Sequence, residues 1–251
     1  EVAMMTDMVR KIRAMTERVA LERGRPILVV VRAPLSVSSS LAIGLDIPTY
    51  LKEGLMDILI AGQDYVQMGV ASELKDMVDL GHKYGVPVYA LIVPPKPYAV
   101  YREDIRAWRG AVMNRWYWGA DGIYTFNLFP NTPDEKFSEM GSPETLKGLD
   151  KIFSIDNPAE ENILGTFKMS TVAPNRLPVS LSADAYVTTK LAVGEDIVAN
   201  SPVGKAVSAL LRFKISGVES DQRVLVKVNG QDLGALTAQG IGFEMEVDPK
   251  L

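Results

Sequence analysis

Apolar residues in the first part of the chain follow two alternating rhythms. One is helical: Val2, Met5, Met8, Val9, Ile12 and Met15 recur at spacings of three and four, with Arg10, Lys11, Arg13, Glu17 and Arg18 between them. The other is a short run, apolar on both faces, seen in Pro26-Ile-Leu-Val-Val-Val-Arg32 and Met56-Asp-Ile-Leu-Ile-Ala-Gly62. It returns in Val86-Pro-Val-Tyr-Ala-Leu-Ile-Val93 and Ala120-Asp-Gly-Ile-Tyr-Thr-Phe-Asn127. Such runs suit strands of a parallel sheet covered by helices. A glycine stands ahead of each, at Gly24, Gly54, Gly85 and Gly119, a period of 30 to 34 residues. Glycine just past a helix takes the left-handed conformation that ends it. Helical patterns over 47–53, 71–84 and 101–118 separate the runs. Alternating strands and helices predict an α/β fold with parallel strands and right-handed crossovers.

Four such units cannot close a barrel, which needs about eight strands. An open doubly wound sheet is possible with four, but usually carries a glycine-rich turn after its first strand. Here the first run leads into Arg32-Ala-Pro-Leu-Ser-Val-Ser-Ser-Ser40, with no dinucleotide fingerprint and no P-loop. The reading favoured is the C-terminal half of a (β/α)8 TIM barrel over 1–156. The chain opens at Glu1 inside a helical pattern without a cap, the pattern of a piece of a longer protein entered before the fifth strand.

Past about Asp156 the rhythm changes. Short alternating or β-branched runs over 167–172, 179–181, 185–191, 206–215, 223–228 and 242–247 are divided by turn clusters. Asn229-Gly230 between two such runs predicts a hairpin through a type I′ turn. The expectation is an antiparallel β-sandwich over 166–251, joined to the barrel half by a linker over 157–165.

Composition narrows the function. A 47% hydrophobic share supports a buried core, and a net charge of -4 argues against nucleic acid as the main partner. No stretch approaches the about 20 apolar residues of a membrane span. The chain has no cysteine and one histidine, which excludes disulfides and argues against a zinc site; no metal and no cofactor are expected.

Several segments resemble the C-terminal half of the bacterial family-ten-like glycoside hydrolases of uncharacterised specificity. They are Ala42-Ile-Gly-Leu-Asp-Ile-Pro-Thr-Tyr-Leu-Lys-Glu-Gly54, Gly81-His-Lys-Tyr-Gly-Val-Pro-Val-Tyr89, Arg109-Gly-Ala-Val-Met-Asn114, Gly119-Ala-Asp-Gly-Ile-Tyr-Thr-Phe-Asn127 and Gly141-Ser-Pro-Glu-Thr-Leu146. The resemblance implies a TIM barrel followed by a β-sandwich, secreted or periplasmic, acting on polysaccharide. Retaining enzymes on this barrel type usually carry the nucleophile at the seventh strand and the acid/base at the fourth. If Val88 to Val93 is the seventh, no Asp or Glu ends it, so the usual pair of carboxylates is not assembled from these residues.

Barrel chemistry gathers where strands end, so the strand ends supply the candidates. Asp64 is the candidate catalytic carboxylate, set against the alternative of a turn residue capping the next helix. Arg32, Gln63, Tyr65, Tyr124 and Asn127 are the candidate sugar-binding residues. Amides and arginine match hydroxyl edges, and aromatic rings match the apolar faces of sugars. Strand alternation puts Tyr124 and Asn127 on opposite faces, with Asn127 and Thr125 read as inward. Asp57 and Asp121 precede their strands and are read as structural. His82 is read as a cation in the last turn of a helix, and Trp108, Trp116, Trp118, Arg109 and Asn114 as helix packing. The functional readings are a glycoside hydrolase-like enzyme, a non-catalytic carbohydrate-binding barrel, or an unrelated α/β scaffold. The half-barrel reading requires pairing with the missing N-terminal half or with another chain.

Overall fold

The structure, a computed structural model, describes residues 1–62, 73–93, 104–126, 128, 135–155, 179–183, 185–203, 207–219, 222–237 and 242–251. The chain divides into two compact units, Glu1–Glu195 and Asp196–Leu251. The expected linker over 157–165 and the expected strand over 167–172 lie outside the described residues.

In the first unit, helices α1 (Val2–Arg23), α2 (Val37–Ala42), α3 (Ile47–Lys52), α4 (Glu73–Lys83) and α5 (Ile105–Tyr117) alternate with strands β1 (Val30–Ala33), β2 (Ile58–Ala61), β3 (Val88–Ile92) and β4 (Gly122–Thr125). Two short helices follow, α6 (Glu135–Met140) and α7 (Pro143–Leu146). The repeating glycines do what the sequence requires: Gly24, Gly54, Gly85 and Gly119 all have positive φ, between 66° and 87°. Helix starts are set by side chains. Ser36, Asp46 and Asp104 accept the backbone N–H of Ser39, Thr49 and Arg106, which offsets the unpaired donors of α2, α3 and α5.

The four strands form one parallel sheet in the order β1-β2-β3-β4. Consecutive neighbours joined by right-handed crossovers place all the connecting helices on one face. Packing agrees. Ala33, Leu59, Ala61, Val88 and Ala90 share a core with Val9 of α1, Tyr50 and Leu51 of α3, and Leu74, Met77 and Val78 of α4. Ile92 extends that face against Trp108, Ala111 and Val112 of α5. A doubly wound sheet reverses its strand order part-way and carries helices on both faces. Neither feature is present among the described residues.

The opposite face has a small cluster of its own: Ile60, Leu91 and Val93 are buried, with Tyr89, Tyr124 and Phe126 packed against them. All six belong to strands or the residues just past them. Glycine makes this packing possible. A Cβ on Gly62 would lie 2.2 Å from Leu91 Cβ, and one on Gly122 would lie 3.0 Å from the Tyr89 ring.

This face is concave. Arg32, Ile60, Tyr89 and Gly122 are successive ladder partners, and Phe126 lies four residues beyond Gly122. On a flat sheet, three strand spacings and four residues of rise would separate the Cα atoms of Arg32 and Phe126 by about 19 Å. Extended side chains with standard bond lengths, meeting at the observed 4.5 Å, span only about 15 Å. The sheet therefore curls toward the face that carries no helix among the described residues.

The lower ends of the strands are stapled in pairs. Asp57, ahead of β2, donates its N–H to Val29 O (2.8 Å) and accepts Val29 N–H on Oδ2 (2.7 Å). Asp121, ahead of β4, does the same with Val88 (2.9 and 2.7 Å). Each carboxylate also meets a basic side chain from the helix before the odd strand. Arg13 of α1 grips Asp57 through two 2.9 Å bonds, and His82 Nε2 lies 2.7 Å from Asp121 Oδ2.

Residues 179–183 and 185–195 form neither helix nor strand, which corrects the strands expected over 179–181 and 185–191. No ladder partner flanks them among the described residues. Side chains hold the end of this stretch instead. Asn114, buried in α5, donates to Ala192 O (3.1 Å) and accepts Gly194 N–H (2.7 Å). Glu195 pairs with Lys151 at 2.7 Å, both side chains 3% exposed.

The second unit contains β5 (Ala209–Lys214) paired antiparallel with β8 (Gly242–Val247), and β6 (Arg223–Val228) paired antiparallel with β7 (Gln231–Thr237). Asn229 and Gly230 have φ of 49° and 84°, the two positive values of the expected type I′ turn. Burial alternates along β5, β6 and β8. Phe213 stacks on Phe243 across β5 and β8 at 5.1 Å, with the Arg212–Glu244 ion pair one residue along the ladder. Asn229 donates to Leu251 O, tying the hairpin turn to the last residue. Among the described residues no helix is long and apolar enough to cross a membrane.

Candidate functional site

The strands run in parallel, so their carboxyl ends emerge on one rim of the concave face. From β1 comes Arg32, solvent-exposed, with its guanidinium carbon 4.5 Å from the centre of the Phe126 ring. That ring is only partly buried, and a cation over an aromatic face at such an exposed position contributes about 0.5–1 kcal/mol. Tyr124 stands two residues before Phe126 and packs on the same cluster as Tyr89. The rim and floor thus combine one guanidinium, two phenols and one phenyl ring over an aliphatic base of Ile60, Leu91 and Val93.

Of the expected site residues, Arg32 and Tyr124 are brought to this one face. Gln63, Asp64, Tyr65 and Asn127 lie outside the described residues. Gly62, just ahead of them, is buried at the end of β2. The phase of β4 differs from the one expected. Tyr124 and Phe126 face the open side, whereas Thr125 shares parity with Ile123, which packs into the helix-covered cores. The physical reason is Gly122: the Tyr89 ring occupies the space where its side chain would lie, and this fixes which alternate residues of β4 face Tyr89.

Tyr89 and Phe126 were not singled out from the sequence. Alternation from Arg32 through the register would have found Tyr89, but the register becomes visible only in the structure. Two carboxylates also follow strand ends on the connections after β1 and β3, and both cap helices. Asp46 accepts from Thr49 N and Oγ1, and Asp104 accepts from the backbone and guanidinium of Arg106. The Arg106 hydrogen bond holds the Asp104 carboxyl below its ordinary value. Among the described residues of the four strands none is acidic, and no group of three or more His, Asp and Glu that could hold a metal occurs.

The residues read as packing have partners. Arg109 makes a bidentate pair with Glu139 (2.7 Å on each arm), Trp116 Nε1 donates to Met140 O, and Trp108 is buried against α6 and α7. No protein-family model matches the chain, and no curated protein shows significant similarity to it.

Proposed function

We propose that the first unit is the C-terminal half of a glycosidase-like (β/α)8 barrel and that its concave face holds a saccharide. The second unit, in this reading, is part of a β-sandwich accessory module, and the protein works in a secreted or periplasmic setting on polysaccharide. The observation that carries the reading is the helix-free face itself, where Tyr89, Tyr124 and Phe126 lie beside the exposed Arg32. Aromatic rings match the apolar faces of a pyranose, and a guanidinium donates in-plane hydrogen bonds to hydroxyl or ring oxygens. Sequential strand order with one-sided helices is the winding of a barrel wall, which supports the half-barrel part of the reading.

Asp64 remains the candidate catalytic carboxylate, with Gln63, Tyr65 and Asn127 as companions in sugar recognition. Hydrolysis in this reading protonates the leaving glycosidic oxygen from one carboxyl group while a second carboxylate, or a water that it activates, attacks the anomeric carbon. A second reading, binding without cleavage, is favoured by one observation: no acidic residue stands on the described strands.

The test is a soluble-polysaccharide panel run for binding and for release of reducing ends. Binding weakened about tenfold by Tyr124→Ala, corresponding to 1.4 kcal/mol, supports the site. Loss of cleavage in Asp64→Asn with binding retained assigns catalysis to Asp64, and binding without any cleavage selects the second reading. Absence of binding across the panel rejects a sugar site.

A further inference from the structure

Charge is sorted along the four-stranded sheet. Asp57 and Asp121 stand at the amino ends of strands, and each is engaged: Asp57 by Arg13 and Val29 N–H, Asp121 by His82 and Val88 N–H. Past the carboxyl ends, Asp46 and Asp104 are engaged as helix caps. Among the described residues of the four strands, Arg32 is the one charged side chain. The charge carried by the strands over Tyr89, Tyr124 and Phe126 is therefore positive.

Arg32 starts on β1, yet its guanidinium carbon stands 4.5 Å from the centre of the Phe126 ring, just past β4. Phe126 continues the β4 ladder, since its N–H donates to Ile92 O (3.1 Å). Tyr124 packs on the same cluster two residues earlier, about 7 Å back along the strand. That interval is about the width of one sugar ring. A pyranose lying on Tyr124 thus brings the substituent on its C5 to the guanidinium.

A phenyl ring stabilises a cation without neutralising it. A guanidinium has five N–H donors in a rigid fork, enough to bond neighbours in the protein and a carboxylate together. The floor beneath is apolar, with Ile60, Leu91 and Val93 buried under the rings. Charge is screened less over such a floor than in open water, so a planar carboxylate gains more from the fork than a hydroxyl does. The net charge of -4 acts over distances that salt screens, about 8 Å at physiological ionic strength, and does little to oppose a contact made at Arg32 itself.

We propose that the saccharide is a uronate, a polysaccharide whose sugar carboxylate is held by Arg32 while the pyranose ring lies on Tyr124. The proposal rests on the saccharide reading of this face and names its chemical class. Arg32 supplies selection for charge, and Tyr124 supplies affinity for the ring whatever its charge.

Titration calorimetry of the 251-residue chain with polygalacturonate and alginate, each beside its methyl-esterified form, tests this, with dextran and dextran sulfate completing the panel. Esterification removes the charge and keeps the ring. One of the two uronates is expected to bind about tenfold more tightly than its ester, equivalent to 1.4 kcal/mol. Arg32→Gln should bring acid and ester to equal affinity, and Arg32→Lys, which keeps the charge without the fork, should recover only part of the preference. Tyr124→Ala should weaken acid and ester alike, with far-UV circular dichroism of all variants unchanged. Equal affinity of the parent for acid and ester, or an acid preference that survives in Arg32→Gln, overturns the proposal. So does dextran sulfate bound more tightly than either uronate, which would mark attraction to charge alone. Binding of dextran but of neither uronate overturns it and leaves the saccharide reading standing, whereas no binding to any of the polymers rejects that reading as well.

Discussion

Replacing Asp57 with alanine removes three interactions at once: the two Arg13 bonds and the bond from Val29 N–H. The Arg13 and Asp57 side chains are 17% and 28% exposed, so the ion pair is neither free in solvent nor buried. An unpaired, half-buried donor costs about 1–3 kcal/mol and a hydrogen bond to a charged group contributes about 1.5–3, so a total loss of about 2–4 kcal/mol is expected. Asp57→Asn keeps an acceptor for Val29 N–H and should lose about 1 kcal/mol, near the upper value for a partly exposed pair.

The assay is urea unfolding followed by tryptophan emission. All three tryptophans, Trp108, Trp116 and Trp118, lie in α5 or directly after it, so the signal belongs to the first unit and is not mixed with the second. An Asp57→Ala midpoint indistinguishable from the parent at unchanged slope would refute the staple as a source of stability. The pH dependence carries a definite sign. Chiefly through the Arg13 hydrogen bond, the Asp57 carboxyl is held below its ordinary 3.8. A depressed carboxyl stabilises fully above its unfolded value and loses that contribution as pH falls through its folded value. The gap between parent and Asp57→Asn should therefore be constant at neutral pH and shrink below about pH 3.8.

Three further substitutions probe other parts of the fold. Gly122→Ala drives a methyl into the Tyr89 ring and should cost about 1–3 kcal/mol, most of it recovered in a Tyr89→Leu background, as a double-mutant cycle by urea unfolding would read. Glu195→Ala strands the buried Lys151 ammonium and should destabilise the first unit by about 3–5 kcal/mol. Limited proteolysis would then show faster cleavage within 179–195. Glu244→Gln removes one half of an exposed cross-strand pair and should shift the stability of the second unit by no more than about 0.5 kcal/mol in thermal unfolding by circular dichroism.

The strand–helix alternation was legible because its signals are local: a glycine forced to positive φ, then an apolar run. The ladders themselves were less legible. Ile27, Leu28 and Val29 read as strand but precede β1, since apolarity reports burial and not the start of pairing. The phase of β4 was misread for a related reason. Thr125 looks inward if the pocket is expected to be polar, but the ring of Tyr89 above Gly122 fixes the parity, and that partner lies 33 residues away. The Arg13–Asp57 and His82–Asp121 pairs are separated by 44 and 39 residues, beyond the reach of any periodicity. The tract Tyr186-Val-Thr-Thr189 has strand composition, but among the described residues it joins no sheet, and composition alone does not supply a ladder. Of the side chains on the open face, Arg32, Tyr124 and Phe126 stand at strand ends visible in the sequence, whereas Tyr89 needed the register.

Because Asp57 fastens β1 to β2 and Asp121 fastens β3 to β4, the four-stranded wall is a tandem of two separately buttoned modules. A backbone cut between Gly62 and Glu73 would divide the sheet into fragments that each keep their acid, its basic partner and their stapled valine. A cut between β1 and β2 would strip Arg13 and Val29 from Asp57. Fragment complementation and circular permutation should therefore tolerate the first opening and reject the second.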